Sequence, residues 1–227
     1  MTAFERFTDA FFNTEVLATY WPVIAKGVVV TCQLAAAVVV CGIAMGMALA
    51  IVRSYRFKAI NFLIVCFADI LRALPPLVLI LLLYFGLPNV GFNLSGFLAV
   101  WLVLTLVLAA FTEEIVWAGI LSVNKGQWQA ARSTGLSFTQ TLIYVILPQA
   151  VRLTVPPLTN RTIAITKNTA LGTVVGVGEI LNEATTAQAF SGNASPLMLG
   201  AIAYVMLFVP IVYFGRWIEN RFAWKRA

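Results

Sequence analysis

The sequence predicts an all-α polytopic membrane protein of about five transmembrane helices, and three observations predict it. Hydrophobic residues make up 61% of the 227 residues and charged ones only 11%, against the roughly 25% charge of ordinary soluble domains. Five apolar runs, near 27–52, 59–86, 95–121, 138–172 and 196–216, are each bounded by charge, Gly or Pro and reach the ~20 residues a helix needs to cross a bilayer. Basic residues gather in alternate connections: Arg53, Arg56 and Lys58, then Lys125 and Arg132, then Arg216, Arg221, Lys225 and Arg226. The connections 86–95 and 179–195 hold no Lys or Arg. By the positive-inside bias the N-terminus lies outside and the C-terminus in the cytoplasm. The net charge of +6 follows from that topology and from attraction to anionic head groups, so no nucleic-acid role is implied.

Residues 1–26 carry Glu5, Asp9 and Glu15 and no positive cluster ahead of an apolar core. They are expected to form an N-terminal extracytoplasmic segment and not a cleaved signal peptide. On the second run Asp69 and Arg72 stand three apart, a spacing that pairs them on one helix face. Pro75 and Pro76 kink the same helix and free carbonyls near them. Glu113 and Glu114 on the third run project about 100° apart, so they cannot face one cavity equally. Charges at membrane depth face a bundle interior or a wet cavity because exposure to lipid is costly. Arg161 on the fourth run is one more such charge. From Ser122, Glu113 lies ~13 Å deep, and from Ala150, Arg161 lies ~16 Å deep, so the two are expected to compensate each other, the alternatives being contact with a zwitterionic solute or exposure to water.

Between the third and fourth runs, Ser122 to Pro148 opens as a polar, glycine-punctuated segment in an otherwise apolar chain. Gly126 opens a short helix, Ala130 and Ala131 keep one face small, and Gly135 takes the left-handed conformation that stops it. Ser137 and Gln140 have capping-box spacing and start the next helix. The result is an exposed elbow on which another protein can pack closely.

Several function classes are excluded. Cys32, Cys41 and Cys66 sit singly in apolar runs, which indicates neither disulfides nor zinc. Histidine is absent, removing the usual proton shuttle and the commonest metal ligand. No catalytic residue, metal site or cofactor is assigned to this chain. No GxxxxGK[ST] occurs, so the chain lacks a phosphate cradle of its own.

The elbow resembles the EAA loop of the permease subunits of binding-protein-dependent ABC importers, in the residues Gln129-Ala130-Ala131, Gly135 and Ile146-Leu147-Pro148. The polar amino-acid branch of that family extends the pattern, and this chain follows with Glu114-Ile115, Gly119-Ile120, Ser122-Val123, Lys125-Gly126-Gln127, Leu147-Pro148-Gln149-Ala150 and Pro156-Pro157-Leu158 before Asn160. Arg72-Ala73-Leu74-Pro75 is similar to the branch's Arg-Gly-Thr-Pro, and Tyr84-Phe85-Gly86-Leu87-Pro88 matches it. The chain departs from the pattern at Glu113, Trp117, Arg161, at Asn168 in Lys167-Asn168-Thr169, and at Gln129, which replaces the motif glutamate. Trp117 is expected as an interfacial aromatic anchor.

The resemblance implies a type I ABC importer permease fold over 27–220, with 122–137 a cytoplasmic coupling segment and 221–227 a cytoplasmic tail. ATPase coupling then falls to Lys125, Gly126, Gln127, Gln129, Ala130, Ala131, Gly135 and Leu136. Candidates for the solute pathway are Arg72, Pro75, Glu113, Glu114, Asn160, Arg161, Lys167 and Thr169. It further implies a second permease chain, identical or homologous, two ATPase subunits that carry ATP and Mg, an extracytoplasmic solute-binding protein, and a polar amino-acid-like solute. The expected location is the bacterial cytoplasmic membrane. The rival reading is a self-sufficient secondary carrier or channel using the intramembrane charges as ion sites, but the single set of spans shows no internal inverted repeat.

Overall fold

The structure, a computed structural model, describes residues 2–222. Lys225 and Arg226, counted above for topology, lie outside the described residues, as does most of the 221–227 tail. The chain is helical almost throughout: α1 (Ala3–Phe12), α2 (Thr14–Ser54), α3 (Lys58–Ala73), α4 (Pro76–Gly86), α5 (Gly96–Ser122), α6 (Lys125–Ser133), α7 (Phe138–Thr141), α8 (Leu147–Lys167), α9 (Ile180–Ser191) and α10 (Ser195–Phe222). Among the described residues, four helices are long and apolar enough to cross a membrane, and five spans result if the broken pair α3 and α4 counts as one.

The first span is longer than its apolar run. α2 starts at Thr14 and has 41 residues, about 60 Å of helix against a hydrocarbon core of about 30 Å. Gly27, where the apolar run was expected to begin, lies inside it, and so does Pro22. A Cβ on Gly27 would stand 3.0 Å from the backbone of Glu179 and Ile180, so this glycine serves close packing and not termination.

The second run divides at Leu74–Pro75, where both residues are extended with ψ of 136° and 132°. A residue before proline is driven out of the α region, and here two prolines follow one another. The fourth run is also irregular. Ser137 and Gln140 form the expected capping box, and a π-turn over Leu142–Ile146 follows, with the Leu147 amide donating to Leu142 O. Pro148 in an unbroken α-helix would crowd the carbonyl of Tyr144, and the extra residue in the turn relieves that clash. Beyond α8 the chain tightens into a 3-10 helix, Asn168–Val175.

The chain forms two compact units. Among the described residues, the first comprises 2–38, 75–104 and 165–213, and the second 39–74, 105–164 and 214–222. In the first, α1 is tied down by Asn193, whose side-chain amide donates to Asp9 O at 2.8 Å, and by Ala194, whose amide donates to Ala10 O at 2.9 Å. In the second, Gly42 and Gly46 let α2 approach α5 closely: a Cβ on Gly46 would stand 2.5 Å from Ala109 O and Thr112. This is the small-xxx-small packing that brings membrane helices into contact without a hydrophobic driving force. Gly119 does the same for α5 against Ala150 and Thr154 of α8.

Candidate functional site

Charged side chains of α2, α3 and α5 in the second unit form one connected cluster. Arg53, on the last turn of α2, donates through Nη1 to Glu113 Oε1 at 2.8 Å and lies 3.5 Å from Glu114 Oε2. Arg72 Nη1 lies 3.3 Å from Glu114 Oε2 and 3.7 Å from Asp69 Oδ1, so the expected pair on α3 forms and reaches across to α5. Glu113 is fully buried, and its Oε2 has no hydrogen-bond partner among the described residues. Glu114 remains 41% exposed, as the angle between adjacent helical side chains demands.

The expected pairing of Glu113 with Arg161 does not occur. Arg53 takes Glu113, because α2 stays helical to Ser54 and carries this arginine into the bundle instead of leaving it in the loop. Arg161 instead lies 3.6 Å from the centroid of the Phe111 ring, and Arg72 stands 5.6 Å from the same ring. Trp117, expected as an interfacial anchor, sits half-buried 4.9 Å below the Arg53 guanidinium. Such cation–π contacts contribute roughly 0.5–2 kcal/mol each, depending on how far they are desolvated.

Beside the cluster is a cavity of about 490 Å³, lined among others by Arg72, Phe111, Glu114, Asn160 and Arg161. It thus brings together four of the sequence-derived pathway candidates. Glu113 lies behind it in the ion-pair network, and Pro75, Lys167 and Thr169 are not among its lining residues. Thr169 is fully buried with its hydroxyl donating to Thr166 O at 2.8 Å, and the Lys167 ammonium stands 6.0 Å from the Phe208 ring. Pro156 and Pro157 lie inside α8 just before the cavity-lining Asn160, whose side-chain amide donates to Pro156 O at 3.4 Å. Arg53 is the member of the cluster that sequence reasoning missed, since it read only as a topological marker.

The elbow is built as its residues require. Asn124, which went unread in the sequence, caps α6 by accepting from the Gly126 amide at 2.7 Å. Gly135 stops it with φ +89°. A Cβ there would meet nothing within 4 Å, so glycine is required by conformation and not by space. Lys125, Gly126, Gln127, Gln129, Ala130 and Gly135 are exposed, and Leu136 is half-buried. Ala131 faces inward and is only 8% exposed, so the small outer face is Ala130's alone. Trp128 stacks on Phe138 at 5.3 Å, fixing the elbow against the helix that follows it.

Helices long and apolar enough to cross a membrane, a cavity lined by both signs of charge and a polar elbow outside the apolar segments together fit a transport permease. The chain belongs to the family described as binding-protein-dependent transport system inner membrane component, whose model matches residues 42–224. It is 34% identical over 178 residues to a probable glutamine ABC transporter permease, GlnM, of Bacillus subtilis, covering 78% of this chain and 82% of that one. It is 29% identical over 202 residues to the arginine transport system permease ArtQ of the same organism, covering 88% and 92%. Among solved structures it is similar to an amino acid ABC transporter, at 30% identity and a TM-score of 0.83, covering 90% of this chain and 96% of that one. The type I importer permease fold expected from the elbow is the observed one.

Proposed function

We propose that this permease forms half of the translocation pathway of an ATP-driven importer for a polar amino acid or related small zwitterionic solute. The observation that carries this reading is the cavity of about 490 Å³, within the range of small-molecule sites, which presents both signs of charge from Arg72, Arg161 and Glu114. The relatives' names support the solute class. A second permease chain supplies the other half, and an extracytoplasmic binding protein delivers the solute.

ATP and Mg belong to two separate ATPase subunits, one docking on each elbow. Ala130 and Gly135 admit a close partner there, while Gln129 offers a neutral hydrogen bond where the family motif has a carboxylate. The asymmetry of basic residues supports a cytoplasmic elbow and an outer N-terminus.

Co-purification with a P-loop ATPase, followed by solute-stimulated ATP hydrolysis, tests the assembly. In a background without native cysteines, Asn93→Cys should react with an impermeant thiol reagent added outside, and Ser133→Cys should not. The opposite labelling overturns the orientation, and solute uptake by the purified chain alone supports the secondary-carrier reading instead.

A further inference from the structure

The charges that line the cavity are not equivalent, and the difference bears on which solutes enter it. Glu114 is already shared between Arg53 at 3.5 Å and Arg72 at 3.3 Å. Arg72 has two carboxylates, since Asp69 stands at 3.7 Å on its other side. Glu113 is held by Arg53 and does not line the cavity. Arg161 is the exception: among the described residues no carboxylate lies within 4.0 Å of it, and its recorded contact is the Phe111 ring at 3.6 Å.

A guanidinium stacked on an aromatic face keeps its N–H donors at its edge, where they match the two oxygens of a carboxylate. The Phe111 ring, 3.6 Å from Cζ, restricts the side chain before any ligand binds, which lowers the ordering cost when a carboxylate arrives. Asn160, the neighbouring cavity residue, adds a neutral amide. The lining therefore offers one unsatisfied cation, one cation already paired, and one carboxylate already shared by two arginines. A solute's single ammonium can still join Glu114. A second cation, on the solute's side chain, finds no remaining acidic group and faces Arg72.

Resting on the reading of this cavity as the solute site, we infer that Arg161 is the carboxylate-binding residue. We further infer that the cavity selects amino acids with neutral or acidic side chains against those with cationic ones. Arg161 was singled out in the sequence as a departure from the family pattern, and this assigns that departure a role in specificity.

The test uses the intact permease–ATPase complex in detergent without binding protein, so that selectivity belongs to the membrane site. Titration calorimetry would compare L-glutamine, L-glutamate, L-arginine, and 4-aminobutanamide, which is glutamine without its carboxylate. The wild-type complex should bind glutamine or glutamate at least about tenfold more tightly than arginine, and glutamine about 10- to 100-fold more tightly than 4-aminobutanamide, as expected for a charge-assisted bidentate contact. In Arg161→Gln the preference for glutamine over 4-aminobutanamide should collapse toward unity, a ratio that general misfolding does not produce. Should that variant not assemble, Arg161→Lys decides, because it keeps the charge but loses the fork and should show an intermediate ratio. Tightest binding of arginine, or an unchanged ratio in either variant, overturns the inference. If the complex couples ATP to uptake of any amino acid while these ratios stay unchanged, the permease reading stands and only the assignment of Arg161 fails. Absence of ATP-dependent uptake for every amino acid tested sinks the underlying function instead.

Discussion

Two fully buried glutamates, one in each unit, meet the cost of burial in opposite ways. Glu179 caps α9 using neutral donors alone. Its Oε1 accepts from the Asn182 amide at 2.8 Å and Thr173 Oγ1 at 2.5 Å, and its Oε2 from the Leu181 amide at 3.0 Å and the Tyr204 hydroxyl at 2.6 Å. Both oxygens are satisfied, and the helix N-terminus adds a favourable dipole. Glu113 has one charged partner, Arg53, on one oxygen, and the other oxygen is unpaired among the described residues. The first arrangement is complete and has no reason to move. The second belongs to a chain of arginines and carboxylates that runs from Arg53 through Glu114 to Arg72 and Asp69 beside the cavity.

The largest expected effect breaks the complete site. Glu179→Ala leaves the Tyr204 hydroxyl, the Thr173 hydroxyl and two helix-end amides without their acceptor, and each buried orphan costs roughly 1–3 kcal/mol. Folded protein should disappear from a size-exclusion profile in detergent, whereas Tyr204→Phe should lower thermal stability only modestly. Survival of Glu179→Ala at full stability would mean that this cap does not organise the first unit.

Next comes the ionic site. Arg53→Ala strands Glu113 and should cost about 3–5 kcal/mol, while Arg53→Met combined with Glu113→Leu should restore most of the stability but not transport. Thermal unfolding and uptake measured on the same preparations separate the two outcomes. Glu113→Arg combined with Arg161→Glu should be no better than the worse single variant, since these residues are not partners here. Recovery in that double swap would reinstate the pairing that their similar depths suggested.

Those depths show what the sequence could and could not reveal. Estimates of ~13 Å for Glu113 and ~16 Å for Arg161 placed both charges at one level, but depth says nothing about which way a side chain turns. Azimuth decided the outcome, and it depends on Gly42 and Gly46 bringing α2 against α5 and on α2 staying helical through Arg53. The elbow was legible almost in full because its signals are local. Gly135, Ser137 and Gln140 act within a few residues of themselves and stand as expected. The Asp69 and Arg72 pair was legible for the same reason. Less accessible was the division at Pro75, where hydropathy continues across a backbone that has stopped being helical.

Smaller effects are expected at the elbow. Gly135→Val forces a β-branched residue into the left-handed region at roughly 1–3 kcal/mol, and should uncouple ATP hydrolysis from transport while leaving membrane insertion intact. Gly135→Asn should retain coupling, because asparagine tolerates that conformation and the surrounding space is open. Equal coupling in both variants, read as solute-stimulated ATPase activity, would show that the backbone bend is not what the partner recognises. The smallest effect is Gln129→Glu, which replaces a neutral bond with a charge-assisted one about twice as strong. It should tighten association with the ATPase severalfold, and weaker association would show that the partner presents no donor there.

The central claim, that this permease moves its solute only when coupled to ATP through the elbow, is tested most directly by uptake into proteoliposomes. The vesicles would contain the permease and its ATPase, with ATP trapped inside and binding protein outside. Accumulation of a radiolabelled amino acid against its gradient should require ATP, the ATPase and the binding protein together, and should be lost in Gly135→Val. Accumulation by the permease alone, driven by an imposed proton or sodium gradient, would contradict the account.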